Sequence, residues 1–174
     1  MTNALQSNPY APKILDAVAF NRLFADQLGT MHCALSHLAL NLPPLAELAS
    51  FKDLRFAVEE SLEDTNRQII RIEAIAAIFN IIITEENCLG MKAIVEETYL
   101  TVGGTEHKSL SCDVAMIFYL HVIKHIEVAA YRTLLIAASK LGFDQAKMLL
   151  TENMDEAKDN DKLFLLISEQ YLLN

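Results

Sequence analysis

The sequence predicts a single all-α domain, a four-helix bundle with one long crossover between its second and third helices. Three observations predict it. Of 174 residues, 52% are hydrophobic while Gly and Pro number only 5 and 4, which leaves little chain for loops or disorder. Apolar residues recur at helical spacing along four long segments, as expected of helices with one buried face. The links between those segments run short, long, short, and no alternating strand pattern bounded by turns competes with them.

Each element follows in order. Residues 1–12, with Asn8-Pro9-Tyr10-Ala11-Pro12, read as an N-terminal tail, and residues 13–174 as the bundle. The first helix is predicted from about Ile14 to Asn41 on the stripe Phe20, Phe24, Leu28, Met31, Leu35, Leu38 and Leu42, with Pro43-Pro44 as its stop. The second runs from about Ser50 to Asn80, with Phe51, Val58, Leu62, Ile69, Ile72, Ala76 and Phe79 as the matching seam. Residues 81–108 break the rhythm and form the crossover, with a short helix around Ala93-Ile94-Val95 closed by Gly103-Gly104. The third helix spans about Ser109 to Leu141 and stops at Gly142; its stripe includes Leu110, Val114, Ile117, His121, Lys124, Val128 and Tyr131. The fourth takes Asp144 as N-cap and carries Leu150, Met154, Ala157, Asp161, Phe164 and Tyr171 on one face. A bundle with one long crossover is the ferritin-like connectivity.

Charge narrows the partners. A formal net charge of −9 without a Lys/Arg cluster makes nucleic acid and anionic membrane surfaces poor partners. The apolar stretch Ile75 to Ile83 is interrupted by Asn80 and falls well short of the roughly 18 residues a membrane span needs. Cys33, Cys88 and Cys112 are an odd set without CxxC spacing, and they read as reduced thiols of a cytoplasmic protein. No basic region followed by an apolar run opens the chain. Leu40, Ile70, Ile75 and Ile78 exceed what one buried stripe requires, which predicts a homodimer or higher homo-oligomer, with a protein partner as the other use of such a surface.

The informative residues are polar ones on inward stripes: His121 and Lys124 on the third helix, Glu63 and Asn66 on the second, Asp161 on the fourth. A buried unpaired charge is too costly to persist, so Lys124 is expected to bond Glu63, Asp161 or both if all face inward. The alternative is that each head reaches solvent over its apolar stem.

Three stretches carry a family resemblance: Leu62-Glu63-Asp64-Thr65-Asn66-Arg67-Gln68-Ile69, Lys124-His125-Ile126-Glu127-Val128-Ala129-Ala130-Tyr131, and Leu149-Leu150 through Asp155-Glu156-Ala157-Lys158 to Asp161. Cys88-Leu89-Gly90-Met91 and Ser139-Lys140-Leu141-Gly142-Phe143 add to them. From Phe24 to about Leu166 the chain resembles the YciE/YciF-type family of bacterial ferritin-like proteins. The resemblance implies a dinuclear metal site of carboxylates and His inside the bundle, and a bacterial, cytoplasmic, stress-associated role. Carried over by position, the family's ligands fall on Met31, Glu63, Asn66, Lys124, Ala157 and Asp161, of which only Glu63 and Asp161 keep the ligand type. The implied site is therefore degenerate, with Lys124 standing in for the metal's charge, and no cofactor or metal is expected.

His121 and His125 lie four apart on one helix, a spacing two zinc ligands could use. Without an HExxH pattern or an obvious third ligand beyond Glu127, they read as structural histidines. No phosphate loop or nucleophile elbow is present. Two functions remain: a non-catalytic bundle acting through self-association or a protein partner, or a metalloprotein with a remodelled site built from Glu63, His125, Glu127 and Asp161. No catalytic residue is assigned under either.

Overall fold

The computed structural model describes residues 16–83, 88–103 and 110–173, so the expected tail at 1–12 lies outside the described residues. The described residues form helices α1 (Ala17–Leu48), α2 (Lys52–Ile78), α3 (Leu89–Gly103), α4 (Leu110–Leu141) and α5 (Asp144–Leu172). Helices α1, α2, α4 and α5 make the bundle: α1 packs on α2 and α4, and α5 packs on α4 and α2. Contacts set the directions. His32 meets Glu73 and Asp53 meets Tyr171, so α2 runs antiparallel to both α1 and α5. Phe51 meets Asp113 and Gln68 meets Tyr131, so α2 and α4 run parallel across the diagonal. Parallel diagonal helices require the chain to return along the bundle between them, which is what the crossover does as α3 packs on α1 and α4.

Two helix ends show why the links turn where they do. At α4, Gly142 takes φ 71° and the Phe143 N–H donates to the Ala138 carbonyl at 2.9 Å. At α2, Asn80 takes φ 52° and the Ile81 N–H donates to the Ala76 carbonyl at 2.8 Å. Both are Schellman closures, in which a residue that tolerates left-handed backbone satisfies the last carbonyls.

Several boundaries differ from expectation. Pro43 and Pro44 lie inside α1 rather than ending it. Both are exposed and follow exposed Leu40, so the carbonyls deprived of an N–H partner lie on the wet side of the helix. Asp144 is the first residue of α5, where its charge favours the helix dipole, and Phe143 is the cap residue. Ile75 is fully buried, which removes it from the surplus apolar surface.

The start of α2 is capped from a distance. Its N-cap residue, Phe51, has no side chain able to accept. Fully buried Asp113 in the first turn of α4 instead accepts from the Ser50 and Phe51 N–H groups at 2.8 and 3.0 Å. Asp113→Ala should therefore cost about 2 kcal/mol in chemical denaturation, the worth of losing charge-assisted bonds to two backbone donors.

By length and composition α4 is long and apolar enough to cross a membrane, alone among the described helices. Its inward face nevertheless holds Asp113, Lys124 and Glu127, all fully buried within the bundle.

Candidate functional site

Two apolar clusters divide the core. One gathers Leu38, Leu42, Leu54, Met116, Leu120 and Phe164 beneath α3, and the other gathers Phe24, Leu28, Ile72, Ile75, Leu134 and Leu150 at the opposite end. At mid-bundle, where the two meet, lies a layer of buried polar side chains: Ser61, Asp64, Thr65 and Gln68 from α2, Lys124 and Glu127 from α4, and Asn153 and Asn160 from α5. Helix α1 closes it with apolar Met31 and Leu35.

The layer is knitted together. Lys124 and Glu127, one turn apart and each 0% exposed, pair through contacts of 3.0 and 3.1 Å from Nζ to the two carboxylate oxygens. Burial pushes Glu127 above the usual carboxylate range, and the Lys124 charge holds it back in part. The Tyr131 hydroxyl donates to Gln68 Oε1 at 3.1 Å; burial, then the Glu127 charge, raise its pKa well above normal. Gln68 and Asn153 exchange side chain-to-backbone bonds of 3.4 and 3.3 Å. Arg71 continues the network to the surface, donating to Asn153 Oδ1 at 3.2 Å and gripping Glu156 at 2.8 and 2.9 Å. Asp64 accepts from Asn160 at 2.5 Å and pairs with Arg67.

The positions carried over from the family resemblance do not gather into one site: Met31 and Ala157 share an apolar cluster and Lys124 and Asp161 border one hollow, but the set does not converge. Met31 and Ala157 are buried. Glu63 and Asn66 are exposed, because α2 turns Ser61, Asp64, Thr65 and Gln68 inward instead. Lys124 is inside as expected, but its partner is Glu127, one turn along its own helix, and neither Glu63 nor Asp161. The alternative ligand set of Glu63, His125, Glu127 and Asp161 is likewise scattered: Glu63 faces solvent, Glu127 the interior, and His125 with Asp161 the α4–α5 edge.

At that edge a second constellation forms. Asp161 Oδ1 lies 2.7 Å from His121 Nδ1 and 3.3 Å from His125 Nδ1. The i, i+4 spacing was visible in the sequence, but the third member comes from α5, 36 positions beyond His125, and not from neighbouring Glu127.

The cysteines also differ from expectation. Cys33 on α1 and Cys88 just before α3 form a disulfide with their Cα atoms 5.9 Å apart, tying the crossover to the bundle, while buried Cys112 stays outside the bridge.

Comparison with known proteins agrees with this architecture. Protein YciF of Escherichia coli K12 is 31% identical over 140 residues, covering 80% of this chain and 84% of YciF. The crystal structure of the E. coli stress protein YciF superposes with a TM-score of 0.84 at 28% identity, covering 89% of this chain and 98% of that one. YcfI from Rhodopseudomonas palustris gives 0.80 at 25% identity, covering 90% and 97%. A Xanthomonas campestris protein, at 13% identity over 88% of this chain and 94% of its own, shares the fold with a TM-score of 0.65. The family described as a domain of unknown function, DUF892, matches residues 19–172, and the chain belongs to that family.

Proposed function

We propose that this chain is a non-catalytic ferritin-like bundle, stress-associated like the E. coli stress protein it resembles, that acts through self-association or a protein partner. The fully buried Lys124–Glu127 pair carries this reading. A dinuclear centre needs several carboxylates free to bridge two hard cations. Among the described residues the buried carboxylates are Asp64, Asp113 and Glu127. Asp113 caps α2, Asp64 is held by Asn160 and Arg67, and Glu127 is neutralised by an ammonium that repels metal ions. The interior residues therefore do not fit a resident pair of metals. Elemental analysis of protein expressed with added iron and manganese, and purified without chelator, should find both far below one ion per chain. Stoichiometric iron or manganese would overturn the reading.

The acidic balance of −9 supports a partner that is neither nucleic acid nor anionic membrane. In a cytoplasmic setting, a reducing medium would keep Cys33 and Cys88 as thiols until oxidative conditions close the bridge, which suits a stress-associated role. Leu40 is 77% and Ile70 64% exposed, apolar surface that suits a partner helix. Sedimentation should find a dimer at micromolar concentration, and Leu40→Lys with Ile70→Lys should give a monomer with an unchanged circular dichroism spectrum and a melting temperature that no longer depends on protein concentration. A monomeric wild-type protein defeats the self-association arm.

A further inference from the structure

We propose that His121, His125 and Asp161 form a binding site for one divalent transition-metal ion, Zn²⁺ by its donor chemistry, at the α4–α5 edge. The inference goes beyond the proposed function and does not rest on it, since it concerns donors outside the Lys124–Glu127 interior.

The placement follows from helix geometry. Residues four apart on α4 set two imidazoles one above the other on a single face. Antiparallel α5 then brings a carboxylate against both, and the three donor atoms lie within 4.8 Å of one another. A tetrahedral ion with bonds of about 2.0–2.1 Å spaces its ligands roughly 3.3 Å apart. Asp161 Oδ1 lies 2.7 and 3.3 Å from the two Nδ1 atoms, so the shorter pair must open by about 0.6 Å to admit the ion.

The donors are also supported. The His121 ring meets Phe164 edge-on, with centroids 6.2 Å apart, which limits its rotation. His125 Nδ1 also lies 2.9 Å from the His121 carbonyl, a contact that must open before that nitrogen can bind the ion. Side-chain exposures of 23% for His121 and 27% for Asp161 leave them partly shielded, whereas His125 at 72% can swing onto an arriving ion.

Three cations border the site, Lys124, Arg132 and Lys158, and two of them are paired. Lys124 is neutralised by Glu127 and Lys158 by Asp155 at 3.0 Å, while the ion-pair partners of Asp161 are the two histidines themselves. A hollow of about 180 Å³, lined in part by His125, Arg132, Lys158 and Asp161, leaves space for a water or small anion as fourth ligand.

The test uses the full chain, stripped with chelator and dialysed, and titrated with Co²⁺ by absorbance and with Zn²⁺ by calorimetry. One ion per chain is expected, with the visible bands of tetrahedral Co²⁺ and their loss on adding Zn²⁺. His121→Ala and Asp161→Asn should each weaken binding at least about tenfold. His37→Ala, a histidine outside the cluster, should leave it unchanged. Asp161→Asn preserves shape, and circular dichroism of each variant separates lost binding from lost fold. Absence of saturable binding, or affinity undiminished in both cluster variants, overturns the proposal. Binding that survives Asp161→Asn but disappears in Glu127→Gln would place the metal in the interior, overturning this site and the metal-free reading of the bundle together.

Discussion

Lys124→Met is expected to destabilise the protein by about 3–5 kcal/mol at pH 7, the cost of leaving one member of a buried ion pair alone. Lys124 and Glu127 are both fully buried, and both carboxylate oxygens face the ammonium. Methionine fills the volume of the lysine stem but leaves the carboxylate desolvated. Glu127 already sits above its ordinary range because of burial, and Lys124 is what opposes that rise. Without the lysine its folded-state pKa climbs further. The folded protein then binds the proton more tightly than the unfolded chain does. Stability from protonated Glu127 is fully present below the unfolded value near 4.5 and is lost as pH rises through the folded value. The variant's deficit should therefore be largest at neutral pH and shrink as the solution is acidified. Adding Glu127→Leu should recover most of the loss, since replacing both partners by apolar groups is near neutral. Urea denaturation of wild type, both single variants and the double variant at two pH values measures this. A double variant as unstable as Lys124→Met would show that the two residues do not act as a unit.

The helices were legible in the sequence because their burial is apolar. Phe24, Leu28, Met31, Leu35, Leu38 and Leu42 were expected on one stripe of α1, and all are buried. The crossover was legible from its broken rhythm, and α3 lies within it. The mid-bundle layer was not. Hydrophobic periodicity treats Asp64, Gln68, Asn153 and Asn160 as solvent-facing, yet they are buried and bond in pairs across 80 or more positions of sequence. This is also why Glu63 and Asn66 were set on the inner face of α2, one or two positions from the residues that occupy it. A single chain shows the charge of a side chain but not its partner on another helix. Lys124 was found because it interrupts an apolar stripe, whereas Glu127 reads in the sequence as a possible metal ligand and not as its partner. The His121–His125 pair lacked its third member for the same reason, since Asp161 becomes its neighbour only through the α4–α5 hairpin.

Reduction of the Cys33–Cys88 bridge is expected to cost about 4 kcal/mol on the loop-entropy model, or about 10 °C in melting temperature for a chain of this size. The two cysteines are 55 positions apart, so the bridge restrains the unfolded chain from mid-α1, through all of α2, to the start of the crossover. It ties down the one long connection of the bundle at the point where α3 begins to cover the α1–α4 groove. Cys88 packs within the same apolar cluster as Met91 and Val95, so the reduced thiol keeps its burial and the loss is chiefly the tether. Thermal melts with and without a phosphine reductant measure the effect. The Cys33→Ala, Cys88→Ala double variant should melt near the reduced wild type and ignore the reductant. Thiol titration of oxidised, denatured protein should find Cys112 alone reactive, and all 3 cysteines after reduction. If all three react before any reductant is added to air-oxidised protein, the bridge does not form in solution. The crossover would then be held by its non-covalent contacts with α1 and α4, among them the 2.6 Å bond that the Tyr99 hydroxyl donates to the Asn41 carbonyl.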